Sequence, residues 1–165
     1  MSQSPLTDLP WVQSALTPWQ IDIQAGNHAF NAKQWHLARD KYTVAYQLSY
    51  RLMAQFLTLK DEGVRCQAMA QCSPAMVVAA HNLADTYIRL GNLSGAAHTL
   101  TQVHANMLAL RQHSDPSVMH IGAIHSDKTY AQLMHFAKLY GPNPETHKQL
   151  QHALNQHSVT HPTFH

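Results

Sequence analysis

Residues Gly26–Ala45, GNHAFNAKQWHLARDKYTVA, decide how this chain folds. A helix-period pattern runs to about Lys33, breaks at Lys33-Gln34 and resumes at Trp35. Small residues (Gly26, Ala29, Ala38, Ala45) let two helix backbones approach, and large ones (Phe30, Trp35, Tyr42) fill the space above and below the contact. A second copy of this layout lies at Ala84–Val103, ADTYIRLGNLSGAAHTLTQV, with each matched position 58 residues on: Trp35 with Leu93, Ala38 with Ala96. One tight helix pair is therefore expected twice, in fixed register.

Outward from these copies the sequence predicts an all-α protein, because no stretch alternates with the two-residue period of a strand. Thr17-Pro18, Ser73-Pro74, Asp115-Pro116 and Asn143-Pro144 each join a polar cap to a proline, which tolerates the first helical position since its missing N–H has no partner there. They place helices at about 18–33, 74–90, 116–140 and 144–156, with two more at about 35–59 and 93–113. The break at Asp61-Glu62-Gly63 puts Gly63 at a helix end. Residues 64–72 are ambiguous, and a further short helix fits them somewhat better than a loop. The expected organisation is a loosely ordered arm over 1–16, able to lay Trp11 on the body, then one domain over 17–156. That domain comprises hairpins 18–60, 74–113 and 116–156, and a flexible tail follows over 157–165.

Composition narrows the function. Charged residues are 12% of the 165, against about 25% in an average domain, and the net charge is +2 with His neutral. No basic run interleaves with aromatics, so nucleic-acid binding is not expected. No apolar run approaches the roughly 20 residues that span a bilayer. The start carries no basic segment followed by an apolar one, and two cysteines make no disulfide framework, so a reducing, cytoplasmic setting is expected. Low charge and long helices also fit a homodimer.

The two copies resemble the tetratricopeptide repeat, a helix–turn–helix unit that stacks side by side. Gly26, Trp35, Ala38, Tyr42 and Ala45 carry the likeness in the first copy, and Leu83, Ala84, Tyr87, Gly91, Ala96 and Leu100 in the second. The chain departs from that family at Ala29, where a large aromatic is usual, in lacking the closing proline, and in a spacing of 58 against about 34. The pair over 116–156 fits the pattern poorly and is expected to complete the stack. The resemblance implies a non-enzymatic, peptide-binding adaptor whose first helices line a groove. The implied groove residues are Gln20, Ile23, Asn27, Phe30 and Asn31, with Val78, His81, Asn82, Asp85, Ile88 and Arg89. Asn27 and Asn82 match two positions of a subfamily that clamps a peptide's terminal carboxylate, but Ile23 stands where that clamp has lysine. Small secretion-type chaperones share such repeats, and binding of an amphipathic segment is the alternative.

Chemistry is sparse. No His pair lies four apart within the helical body, and Cys66 and Cys72 lack the spacing of a zinc knuckle. A Cys66, Cys72 and His81 cluster would need residues 64–72 to fold back, so no metal or other cofactor is expected, and a metal- or small-ligand-binding helical protein is a further alternative. No nucleophile elbow or phosphate loop is present. His81 and Asp85 are four apart on one helix face and are better read as a surface contact than as a catalytic pair.

Overall fold

A computed structural model of the chain describes residues 9–160, all in helices or the turns between them. The helices are α1 (Pro10–Asn31), α2 (Trp35–Phe56), α3 (Glu62–Arg89), α4 (Leu93–Arg111), α5 (Pro116–Tyr140) and α6 (Pro144–Thr160). The expected all-α fold of six helices is what the chain adopts. Residues 1–8 of the predicted arm and 161–165 of the predicted tail lie outside the described residues.

The two copies make the same turn. In the first, the N–H of Ala32, Lys33 and Gln34 donates to the carbonyls of His28, Phe30 and Ala29. In the second, Leu90, Gly91 and Asn92 donate to Thr86, Ile88 and Tyr87. Every one of these six residues on the donor side, and every acceptor, has its counterpart 58 positions away. Both turns use one residue in the left-handed region, Lys33 at φ +59° and Gly91 at φ +74°. Gly91 adopts it freely, whereas Lys33 holds a conformation that disfavours a Cβ. Asn92 also caps α4 by accepting from Gly95 N at 2.8 Å, which Gln34 does not do for α2.

Buried small residues carry the pairing of α1 with α2 and of α3 with α4: Ala29, Ala38 and Ala45 on one side, Ala84 and Ala96 on the other. A Cβ on Gly26 would lie 2.5 Å from the Tyr42 ring, so glycine is what lets that ring cross α1. The matching pair in the second copy is Ala84 with Leu100, a larger helix residue facing a smaller partner. α2 also packs on α3 and α4 on α5, and α3 touches both α1 and α5.

Two predicted starts are wrong. Pro18 and Pro74 lie inside α1 and α3, which begin at Pro10 and Glu62. The hydroxyl of Thr17 bonds back to the Gln13 carbonyl at 3.1 Å instead of capping a helix. Each proline deletes one helical hydrogen bond, a cost of about 3 kcal/mol in a helix interior. Burial on either side offsets it: Val12 is fully buried and Trp11 meets Phe56 edge-on at 5.6 Å, while Ala68, Met69, Cys72 and Ser73 are sealed in the core. Gly63 sits in the first turn of α3 rather than at a helix end, behind a cap in which Asp61 accepts from Val64 N at 2.9 Å. Asp115 caps α5 as expected, accepting from Ser117 N. It also accepts two bonds from Arg65, at 2.9 and 2.7 Å, and Arg65 donates to the Leu59 carbonyl, so one guanidinium ties two turns together. Those bonds from Arg65, then the one from Ser117, hold the Asp115 carboxyl below the usual carboxylate range.

The third pair also differs from expectation. α6 rests chiefly on α4 and only lightly on α5. His104, fully buried on α4, has Nδ1 2.8 Å from the Thr129 hydroxyl of α5, and that hydroxyl donates its own proton to the Ser126 carbonyl. His104 Nδ1 must therefore be the donor, leaving Nε2 to accept from His157 Nδ1 of α6 at 3.2 Å. The His157 ring stacks on Tyr130 at 3.6 Å. The predicted tail thus begins later than residue 157, because this polar seam holds the end of α6.

Candidate functional site

Where the two hairpins meet, α1, α2 and α3 enclose a cavity of about 250 Å³ lined by Asn27, Phe30, Asn31, Tyr42, Asn82 and Asp85. Its floor follows from Gly26. With no Cβ in the way, Tyr42 lies across α1, and its hydroxyl donates to Asn27 Oδ1 at 2.6 Å. That bond fixes the Asn27 amide and leaves its N–H groups as donors. Phe30 packs edge-on against Trp35 at 5.0 Å, and the Arg89 guanidinium lies 5.9 Å from the Phe30 ring centre and 5.5 Å from that of Trp35. These are cation–π distances, and they seat Arg89 on the rim.

The electrostatics centre on Asp85. Packing by the surrounding protein raises its carboxyl above the usual range, although the residue itself is exposed, and the positive groups Arg89 and His135 pull it partly back. Burial also raises the Tyr42 hydroxyl, and the Asp85 charge raises it further, so Tyr42 stays a neutral donor. The two groups line one cavity and feel each other's charge.

Of the eleven residues expected to form the groove, Asn27, Phe30, Asn31, Asn82 and Asp85 line this cavity and Arg89 reaches its rim. Ile23 does not: it is 7% exposed and belongs to the core. Ile88 packs on the second apolar cluster, between α4, α5 and α6. Gln20 and Val78 are exposed, and neither lines the cavity. His81 is half-buried, and among the described residues its Nε2 has no hydrogen-bond partner. Sequence reading missed Tyr42, Trp35 and His135 as site residues. A glycine sixteen positions before a tyrosine was the available signal for Tyr42, which had been read only as packing.

Other clefts lie behind the hairpins. One of about 420 Å³ between α2 and α4 is lined by Tyr46, Tyr50, Gln47 and Gln102 over Leu83 and Tyr87. A smaller one of about 170 Å³ shares Tyr50 and continues past Met53, Met76 and Leu110. A third, of about 520 Å³ between α4 and α6, is mainly apolar, with Ala105, Leu108 and Ala109. The cavity on Asp85 is smaller than the first and third, but unlike them it brings three asparagine amides, Phe30, Tyr42 and a carboxylate together. Among the described residues no three His, Cys, Asp or Glu side chains gather as a metal-ligand set.

Burial lowers His81 below the usual histidine range, and burial then Lys128 lower His125. A histidine whose folded value is depressed stabilises the fold fully above its unfolded value of about 6.5, and that stability is lost as pH falls from there toward the folded value. The urea midpoint is therefore expected to drop between pH 7.5 and 5.5, and to drop less in a His81→Gln/His125→Gln chain. Equal losses in the two chains would rule out these histidines as the cause. The raised Asp85 carboxyl acts with the opposite sign and at lower pH, since the folded chain takes up that proton more readily than the unfolded one.

The helices and this cavity define an all-α protein of two register-matched hairpins and a third helical pair, with a polar hollow between the hairpins. The chain belongs to the family described as a protein of unknown function, DUF2753, whose model matches residues 17–165. No curated protein and no solved structure matches it. Among the described residues no helix is long and apolar enough to cross a membrane.

Proposed function

We propose that the chain is a non-enzymatic, cytoplasmic adaptor that binds an extended peptide across α1 and α3, on hairpins that resemble tetratricopeptide repeats. The observation that carries this reading is the convergence of Asn27, Asn31 and Asn82 with Phe30 and Asp85 in one cavity between the hairpins. Side-chain amides both donate and accept, which suits a peptide backbone, and the Phe30–Trp35 pair offers an apolar anchor. The identical turns at Lys33 and Gly91 support the likeness to a repeat. The buried thiol of Cys72, pushed up to about 12 by burial and directed at the Ser49 carbonyl, supports a non-enzymatic reading, since catalysis by cysteine needs the thiolate.

Panning a displayed peptide library against the full chain tests it. Recovered peptides are expected to lose at least about tenfold in affinity to Asn82→Arg and to Phe30→Ala, at unchanged helical content. Peptides that bind both variants as tightly as the parent would place recognition elsewhere.

A second reading, a chaperone for an amphipathic segment, is favoured by the paired clefts between α2 and α4. Their tyrosines and methionines offer an adaptable apolar trough, and recovered helical sequences sensitive to Tyr50→Glu but not to Asn82→Arg would select it.

A further inference from the structure

We infer that the cavity between α1 and α3 anchors a cationic group of the bound chain, a lysine ammonium or a free amino terminus, with Asp85 as its counter-ion. This rests on the peptide-groove reading and adds the charge of the ligand to it. Among the described residues Asp85 is the only charged one lining the cavity. No ion pair or hydrogen bond among the described residues engages its carboxylate. Arg89, one turn along α3, is drawn over Phe30 and Trp35 and leaves the cavity itself without a cation. A terminal carboxylate would meet Asp85 and find no lysine or arginine in the lining, so charge complementarity points to a cation. The amide oxygens of Asn31 and Asn82 are further acceptors for an ammonium, which has three N–H groups to place.

The Asp85 side chain is exposed at the cavity, so a cation can reach its carboxylate from solvent, and the surrounding protein raises both that carboxyl and the Tyr42 hydroxyl. The groups that face Asp85 are Arg89 of α3, His135 of α5, the neutral Tyr42 of α2, and uncharged asparagines from α1. Arg89 and His135 weaken the field of Asp85 without pairing to it. Binding is expected to weaken as pH falls, because protonating Asp85 removes the counter-ion.

The test is a titration of the ¹⁵N-labelled full chain, following the side-chain amides of Asn27, Asn31 and Asn82. The probe is n-butylammonium chloride, with sodium butyrate and n-butanol as controls of matched length. Saturable shifts are expected with n-butylammonium alone. Asp85→Asn, which keeps the side-chain shape, is expected to weaken them at least about tenfold while the rest of the spectrum is unchanged. His135→Gln is expected to keep the loss of binding at low pH. Equal response to butyrate, or an Asp85→Asn chain that binds as well as the parent, overturns the proposal. Peptides that bind the groove with no preference for a cation overturn it too, and leave the adaptor reading standing. Binding of n-butylammonium with no peptide bound would sink the adaptor reading and keep the cation site. An acetylated lysine peptide and a lysine-free peptide with a free amino terminus then tell the two sources apart.

Discussion

Gly122→Ala is expected to unfold about 4–12 °C below the parent chain, the effect of about 2–3 kcal/mol in a protein of this size. In isolation alanine would favour the helix over glycine by up to about 1 kcal/mol, so the sign itself is informative. The reason is where α5 crosses α4. A Cβ on Gly122 would stand 2.4 Å from Arg111 N, 2.7 Å from the Leu110 carbonyl carbon and 2.8 Å from Leu110 Cβ. Two of these are backbone atoms of the last turn of α4, and backbone does not rotate aside as a side chain can. α5 would have to lift off α4 as a body, pulling on Asp115 and its bonds to Arg65 at the start of the same helix. Gly63→Ala is the control: its added Cβ would meet only Asp61 Oδ1, at 3.4 Å, so that variant should match the parent or exceed it slightly. Thermal unfolding of the three chains decides the matter. A Gly122→Ala chain as stable as Gly63→Ala would mean the helices do not approach this closely.

The second large effect is a coupling. Gly26→Ala alone should cost about 1–3 kcal/mol, because its Cβ would lie 2.5 and 2.7 Å from two carbons of the Tyr42 ring. That ring is 2% exposed and its hydroxyl is bonded to Asn27, so it has nowhere to go. Tyr42→Leu alone should also destabilise, by loss of the ring and of that hydrogen bond. The double variant installs the pair that the second hairpin already uses at the same offset, Ala84 with Leu100. It should be more stable than the sum of the singles by about 1–2 kcal/mol. Urea denaturation of the four chains measures this. Additivity within about 0.5 kcal/mol would show that the two hairpins solve their packing independently. The double variant should also lose the cavity floor, so peptide binding and stability would part company in it.

Most of the candidate site could be read before any coordinates. Asn27, Phe30, Asn31, Asn82 and Asp85 fell on one side of two helices whose register the 58-residue offset had already set. Ile23 was misplaced because a helix face is wider than a groove: a residue one turn from Asn27 can turn into the core with no change in periodicity. Arg89 follows from the repeat resemblance as a groove position, but its seat on Phe30 and Trp35 depends on the second hairpin standing beside the first. His135 was invisible because α5 is some fifty residues further along and shares no pattern with α1.

The helical class, all five breaks between the described helices and the repeated turn were legible in the residues alone, because apolar spacing and alanine contacts act within a hairpin. Local signals then misled where longer-range packing outweighed them. Pro18 and Pro74 read as helix starts, yet both helices run through them, since burying Val12 on one and Met69 and Cys72 on the other stabilises more than the lost hydrogen bond costs. The place of α6 was likewise a tertiary decision. Its partner is α4, selected by His104 and its bonds to Thr129 and His157, three residues that no local rule brings together.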